Sequence, residues 1–413
     1  MADVTLVFFF IAALGFGGFI GLSFFNKTRF SDFILLMVLG LLIGPVLGLI
    51  DGASLAFLRQ VAPYFASLAL VILLFEGGLQ LNFYRVLKEL PKATVFTWAV
   101  FILSVTIITG TLLVFGWTPL LAVLLGCIIG GTSSAIIVPL VNSISAGENT
   151  KTLLTIESAI TDALSVITTI AVAEIMLAKS AGIQAVFQSI LAAFSVAAVL
   201  GFIFGVLWLL ALRDFPSIRK YEHILTLATV FFVYSVAEFA RGNGAFAVLI
   251  FGIMLGNAKE LGAILRIQNI QTDTSISAFQ AEISLFVRTF FFVYLGAIFS
   301  AEFFRLDVIG AAAALTAGLF MARHIGTVLL TRFLKEFSAD AGAIRSLMAR
   351  GLAAAVLATY PASVGISDPG INLVLPLAFL VILFSNVVTT IGVFEFEKAP
   401  KGIAPVKAKK AAG

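Results

Sequence analysis

Three carboxylates lie in a stretch that otherwise reads as an apolar helix: Glu157, Asp162 and Glu174 within TIESAITDALSVITTIAVAEI, residues 155–175. An ionised group there is costly unless it meets a cation, a proton or water, so a carboxylate in such a place is a candidate ion site. At about 100° per residue, Ser158, Asp162, Ser165 and Thr169 fall on one helix face, and Glu157 and Thr161 form an adjoining stripe. The hydroxyls are explained equally well as ties between helices. Asp162 is not, because a tie does not neutralise a charge.

Immediately upstream, LLGCIIGGTSSAIIVPLVNSI (residues 124–144) places Gly130, Gly131, Thr132, Ser133 and Ser134 in the middle of an apolar run, with Pro139 beyond. Glycines and hydroxyls at that depth mark a discontinuous transporter helix, whose unwound turn exposes carbonyls that can replace part of a cation's hydration shell. A continuous helix kinked at Pro139 is the alternative. VILLFEGGLQLN (71–82) adds Glu76 near the end of another apolar run. The late helices contribute Arg288, Arg323 and Arg350. A buried arginine stays charged and requires a carboxylate nearby. Glu157 is the natural partner for one of them, which leaves Asp162 free to change its occupant. Arg350 is expected at the cytoplasmic mouth of a helix, as an interfacial or dipole-related residue.

These residues need a membrane scaffold to position them, and the composition supplies one. The chain is 61% apolar and 12% charged over 413 residues, with mean hydropathy +1.12, which fits an all-α polytopic membrane protein. The single cysteine, Cys127, excludes disulfides and cysteine metal clusters, and the two histidines lie far apart. No metal site beyond a transported monovalent cation, no cofactor and no nucleic-acid partner is expected. No cleavable signal peptide is expected at the start, MADVTLVFFF, which carries Asp3 where a basic segment would stand.

Thirteen apolar spans are predicted: 3–24, 31–50, 61–81, 92–116, 118–143, 151–178, 183–212, 222–239, 244–257, 278–300, 306–333, 343–363 and 370–394. The ninth is short for a bilayer crossing. With the N-terminus outside, four of the 26 basic residues (Arg59, Lys179, Arg241 and Arg305) lie on the outer side. Three more fall in helices or at their mouths (Arg288, Arg323 and Arg350), which leaves nineteen on the cytoplasmic side with the C-terminus. The spans form one transmembrane unit, residues 1–397, followed by a short basic cytoplasmic tail, 398–413, suited to contact with anionic lipid or simply solvated. Glycines at 40, 44 and 48 read as a helix-packing stripe.

The motifs FEGGL, GGTSSAIIVPLV, ESAITDALSV, VRTFFFVYLG, ARHIG and ARGLAAAVLA occur in the order found in monovalent cation/proton antiporters. Over about residues 5–395 the chain resembles the NhaP-type sodium/proton antiporter branch, with ESAITD similar to its E-S-x-x-N-D motif. The resemblance implies two inverted six-helix repeats and crossing helices unwound at mid-membrane. It also implies an ion-binding core (about 61–178 and 278–394), a dimerisation bundle and a homodimer in the cell membrane. It further implies that Asp162 binds cation and proton, with Ser158, Thr132 and Glu76 completing the oxygen shell. Glu157 and Arg323 would form a structural ion pair, and Arg288 would support the crossing. Two departures stand out. Thr161 replaces the usual Asn, and Ser133 and Ser134 replace Asp-Pro, which removes a charge at the crossing and bears on the role of Arg288.

The mechanism expected is alternating access with Na⁺ (or Li⁺) and H⁺ competing for Asp162. One titrating carboxylate implies electroneutral one-for-one exchange. A K⁺/H⁺ antiporter of the same fold is the alternative, since all-oxygen ligation suits any hard monovalent cation. A sodium-coupled solute symporter would require a second, larger polar pocket, and a channel would require a filter loop. An enzyme would require a catalytic set, and the sequence offers no paired-histidine motif or Ser/His/Asp set at membrane depth.

Overall fold

A computed structural model of the chain describes residues 15–21, 32–48, 67–79, 91–178, 183–215, 221–264, 275–298 and 305–398, with isolated positions besides. Among the described residues the secondary structure is entirely helical, and seven stretches are long and apolar enough to cross a membrane, one of them the interrupted Pro119–Ser143. The helices in chain order are α1 (Asp32–Leu41), which runs on into a π-turn (Leu42–Val46), then α2 (Ser67–Leu79), α3 (Pro91–Val114), α4 (Pro119–Gly130), α5 (Ser134–Ser143) and α6 (Glu148–Leu177). There follow α7 (Ile183–Asp214), α8 (Glu222–Phe239), α9 (Gly244–Gly256), α10 (Ala258–Ile264), α11 (Ser275–Ala297) and α12 (Leu306–Phe333). The last three are α13 (Ala341–Ser346), α14 (Leu352–Ser363) and α15 (Ile371–Lys398).

Local chemistry explains several boundaries. Pro119 opens α4, where its missing N–H costs nothing. Between α3 and α4 the chain reverses at Gly116, whose φ of +81° suits glycine. At the start of α9, Asn243 accepts a hydrogen bond from the Phe246 N–H at 2.8 Å. The predicted spans 118–143 and 343–363 each resolve into two half-helices. The break in the first lies at residues 131–133 and in the second at 347–351. The first 11 residues, residues 24–31 and the tail beyond Lys398 lie outside the described residues.

Small residues bring helices into direct backbone contact. A side chain at Gly78 would strike the backbone of α9 at Leu249 and Ile253, and one at Gly252 would strike the backbone of α2 at Phe75. Gly40 and Gly44 pack in the same way against Val293, Gly296 and Ala297 of α11. Gly48 does not share in that stripe. Nothing lies within 4 Å of where its side chain would project, and its φ of +61° closes the π-turn instead.

Two groupings result. α6 packs on α4, α5 and α14, and α15 packs on α12, α13 and α14. α9 packs on α7 and α8. The site lies where α6 meets residues from α2 and α9.

Candidate functional site

α6 is 30 residues long, about 45 Å at the α-helical rise, and Asp162 is its fifteenth residue. No charged neighbour follows within the next two turns, so Asp162 depends on other helices for partners. They come from the break between α4 and α5. Gly131 and Ser133 are extended, at ψ of 154° and 119°. Gly131 passes so close to α6 that a side chain there would collide with Ser165 and the Thr161 backbone. The hydroxyl of Thr161 accepts from the Thr132 N–H at 3.1 Å and stands 3.2 Å from the Thr132 hydroxyl. Its own proton has the carbonyls of Thr132 and Ser158, each at 3.2 Å, within reach. The next residue along, Asp162, takes the start of α5: its Oδ2 accepts from the Ser134 N–H at 2.9 Å and the Ser134 hydroxyl at 2.5 Å. A carboxylate thereby sits on the positive end of a half-helix.

The opposite end of the break is closed by a cation. Arg350 is 2% exposed and donates from Nε to the Ile129 carbonyl at 2.8 Å and from Nη2 to the Gly130 carbonyl at 3.1 Å. A third donor, Nη1, reaches the Met348 carbonyl. The guanidinium therefore covers the last carbonyls of α4, where the helix dipole favours positive charge. The expected position at a helix mouth is corrected: Arg350 is buried inside the second break, and only the dipole-related part of the expectation describes it. The two breaks also join directly, through the Ser133 N–H and the Ala349 carbonyl at 3.0 Å.

The second break carried no strong signal of its own. Its backbone is satisfied from α15. Thr389 Oγ1 accepts from the Met348 N–H at 3.2 Å, Ser385 Oγ accepts from the Arg350 N–H at 3.1 Å, and Asn386 Nδ2 donates to the Arg350 carbonyl at 2.7 Å. These three residues were missed in the sequence. The signal available was the polar cluster in LFSNVVTT within an apolar span.

Glu157 has a different environment. It is 1% exposed and paired with Arg323, 2% exposed. Arg323 Nε donates to the Ile344 carbonyl at 2.7 Å, and its guanidinium carbon lies 5.6 Å from the centre of the Phe96 ring. Both charges are therefore held by groups that cannot leave. Among the described residues no lysine or arginine pairs with Asp162.

A cavity of about 60 Å³ lies against Asp162, Glu76, Ser133 and Ser134, with Leu249 of α9 and Leu352 of α14 among its apolar walls. That volume accommodates a few waters or a partly hydrated small cation. Glu76 and Asp162 are close enough to interact electrostatically. Neither Thr132 nor Ser158 is among the residues lining it. Ser158 is fully buried and donates to the Thr155 carbonyl at 3.0 Å, while Thr132 is engaged by Thr161. The side chain of Arg288 lies outside the described residues.

Comparison with known proteins places the chain in a family. The family model for the transmembrane sodium/hydrogen exchanger covers residues 9–397. The chain belongs to that family. Members of the sodium/hydrogen exchanger family are transporters, and the likeness of this one is to NhaP-type monovalent cation/proton antiporters. It is 24% identical over 343 residues to the probable Na⁺/H⁺ antiporter 2 of Methanocaldococcus jannaschii, covering 80% of this chain and 78% of that one. It is 29% identical over 355 residues to the K⁺/H⁺ antiporter NhaP2 of Shewanella sp. (strain MR-4), covering 84% and 58%. The match to the K⁺/H⁺ antiporter NhaP of Alkalimonas amylolytica is 26% over 332 residues, covering 79% and 56%. The chain thus spans less than three-fifths of the length of these two potassium relatives. The structure of the sodium/proton antiporter MjNhaP1 from Methanocaldococcus jannaschii at pH 8 superposes with a TM-score of 0.75 at 20% identity, over 96% of this chain and all of that one. The exchanger is accordingly an all-α integral membrane protein.

Proposed function

We propose that this exchanger moves Na⁺ (or Li⁺) against H⁺ by alternating access, with both ions competing for Asp162. The observation that carries the reading is the contrast between two acids on α6. Glu157 is neutralised by Arg323, whereas among the described residues Asp162 meets hydrogen-bond donors and no lysine or arginine, and opens on a cavity. A half-buried carboxylate at membrane depth, with no lysine or arginine on it among the described residues, is neutralised most readily by what it carries. Proton and metal cation each do this, and each excludes the other. A neutralised site moves past a low-dielectric barrier far more cheaply than a bare anion, which makes exchange obligatory.

Asp162, the Ser134 hydroxyl and Glu76 supply the oxygens nearest the cavity. Thr132 and Ser158 support the break and the helix behind it. With Glu157 held by Arg323, one carboxylate titrates per cycle, so exchange is one for one and electroneutral. The architecture is two related halves with thirteen spans, as the family resemblance implies. The protein works as a homodimer in the cell membrane, its N-terminus outside and its basic tail in the cytoplasm. Na⁺ is favoured by the likeness of ESAITD to the sodium branch. K⁺ is the second reading, supported by the two potassium-named relatives.

The test uses sealed proteoliposomes holding a pH gradient and an internal pH dye, challenged in turn with Na⁺, Li⁺, K⁺ and choline. Collapse of the gradient by one small cation, absent in Asp162→Asn, establishes exchange and names the ion. No response to any of them removes the antiport reading. Charge movement under an imposed voltage contradicts electroneutrality.

A further inference from the structure

The exchange reading makes Asp162 the carrier, and a second residue touches it in two ways. Ser134 is the first residue of α5, so its N–H is one of the helix-start donors with no partner inside the helix. That N–H and the side-chain hydroxyl both donate to Asp162 Oδ2, at 2.9 and 2.5 Å. A hydroxyl that gives its only proton to a carboxylate keeps its two lone pairs for another partner. Ser134 also lines the cavity beside Asp162 and Glu76. We propose that Ser134 is a cation-contacting residue that sets how strongly Asp162 prefers a metal cation to a proton.

The argument rests on what happens when the carboxylate changes state. While Asp162 is ionised, both hydrogen bonds are charge-assisted, and the serine oxygen carries additional negative character towards the cavity. A cation in the cavity meets that oxygen and the carboxylate together as one edge. Once Asp162 takes a proton, the charge assistance is lost on both bonds. Ser134 therefore stabilises the cation-accepting form selectively, an effect of hydrogen bonding to the charged species. The other charged groups around Asp162 do not share this position. Glu76, from α2, lines the same cavity; Arg350 is committed to the α4 carbonyls and Arg323 to Glu157. A side chain without a hydroxyl would retain the N–H bond, and proline would provide neither donor. Serine at this position is thus a choice with consequences for ion preference.

The test rests on the exchange reading, and two variants keep their failures apart. In proteoliposomes, Ser134→Ala is expected to raise the half-saturating cation concentration about tenfold, the lower range for a lost hydrogen bond to an ionised group. Its maximal rate at saturating cation stays close to the wild type, its pH profile moves to the alkaline side, and the ranking of Li⁺, Na⁺ and K⁺ changes. Ser134→Thr restores the wild-type values, and Ser134→Cys, with a weaker donor, falls between serine and alanine. Ser143→Ala, on the same half-helix but with its hydroxyl bonded to the Leu140 carbonyl, behaves as wild type. A Ser134→Ala protein with unchanged half-saturation at every pH overturns the proposal. So does a Cys variant outside that range, should the Ala variant fail to fold. Asp162→Asn that still exchanges sinks the underlying reading; an inactive Asn variant beside a wild-type Ser134→Ala sinks this inference alone.

Discussion

Glu157 and Asp162 stand little more than one turn apart on α6, yet the surrounding helices treat them in opposite ways. Glu157 is sealed against Arg323, both almost completely buried, with the arginine further anchored on the Ile344 carbonyl. Among the described residues Asp162 receives an N–H and a hydroxyl from Ser134, with no lysine or arginine paired to it, and it faces a cavity. The comparison separates two uses of a carboxylate within the helix bundle. One is neutralised permanently and holds α6 to α12. The other is left short of a full positive charge, so that a mobile ion must supply it. The same division recurs at the break between α4 and α5, where Arg350 fixes the carbonyl end and Asp162 takes the amide end.

The largest effect expected from breaking this comparison is at Asp162. Asp162→Asn retains hydrogen-bonding capacity and shape but cannot be neutralised by a cation, and exchange in proteoliposomes should fall to background while the melting temperature in detergent stays near the wild type. Removing the permanent partner should do the reverse. Arg323→Ala leaves Glu157 buried and unpaired, a loss of about 3–5 kcal/mol, read as a strongly lowered melting temperature. The double change Glu157→Gln with Arg323→Gln should recover part of that stability, because the uncompensated charge is gone. If Arg323→Ala melts normally, the division between the two acids fails.

A smaller effect concerns pH. Protonation removes the carboxylate that a cation needs, so acid must weaken cation binding. In the range where the proton dominates, the half-saturating cation concentration should rise about tenfold for each unit fall in pH. An affinity independent of pH contradicts competition at one site. The smallest effect is at Glu76, which lines the cavity beside Asp162. Glu76→Gln should change cation affinity by about threefold, in keeping with the modest value of partly solvated charge interactions, without abolishing exchange. Complete loss in that variant would make the site a two-carboxylate centre.

Much of the scaffold was legible in the sequence, because lipid-facing helices advertise themselves as apolar runs. The predicted spans 222–239 and 306–333 coincide with the helical bounds, and 183–212 differs only at its end. The first break was readable because glycines and hydroxyls at residues 130–134 weaken a helix locally. The second was not. Leu347, Met348 and Ala349 are good helix formers, and what opens the helix there lies some forty residues away, in Ser385, Asn386 and Thr389 of α15. The same limit explains Arg350: its charge was visible, but its burial depends on carbonyls of α4. It explains Ser158 as well, whose place on the Asp162 face did not determine where its hydroxyl turned. That Glu157 pairs with one of the late arginines was accessible to reasoning, because a buried acid and a buried arginine in otherwise apolar helices have few other options; the choice of Arg323 among the three came from the family resemblance.

The most direct measurement is proton release on cation binding by the purified protein in lightly buffered detergent solution. Na⁺, Li⁺ or K⁺ is titrated in while protons and heat are followed together. Competition at Asp162 predicts about one proton released per cation bound at acid pH, less as pH rises, and none from Asp162→Asn. Cation binding that releases no protons at any pH, or the same release from the Asn variant, would contradict the account.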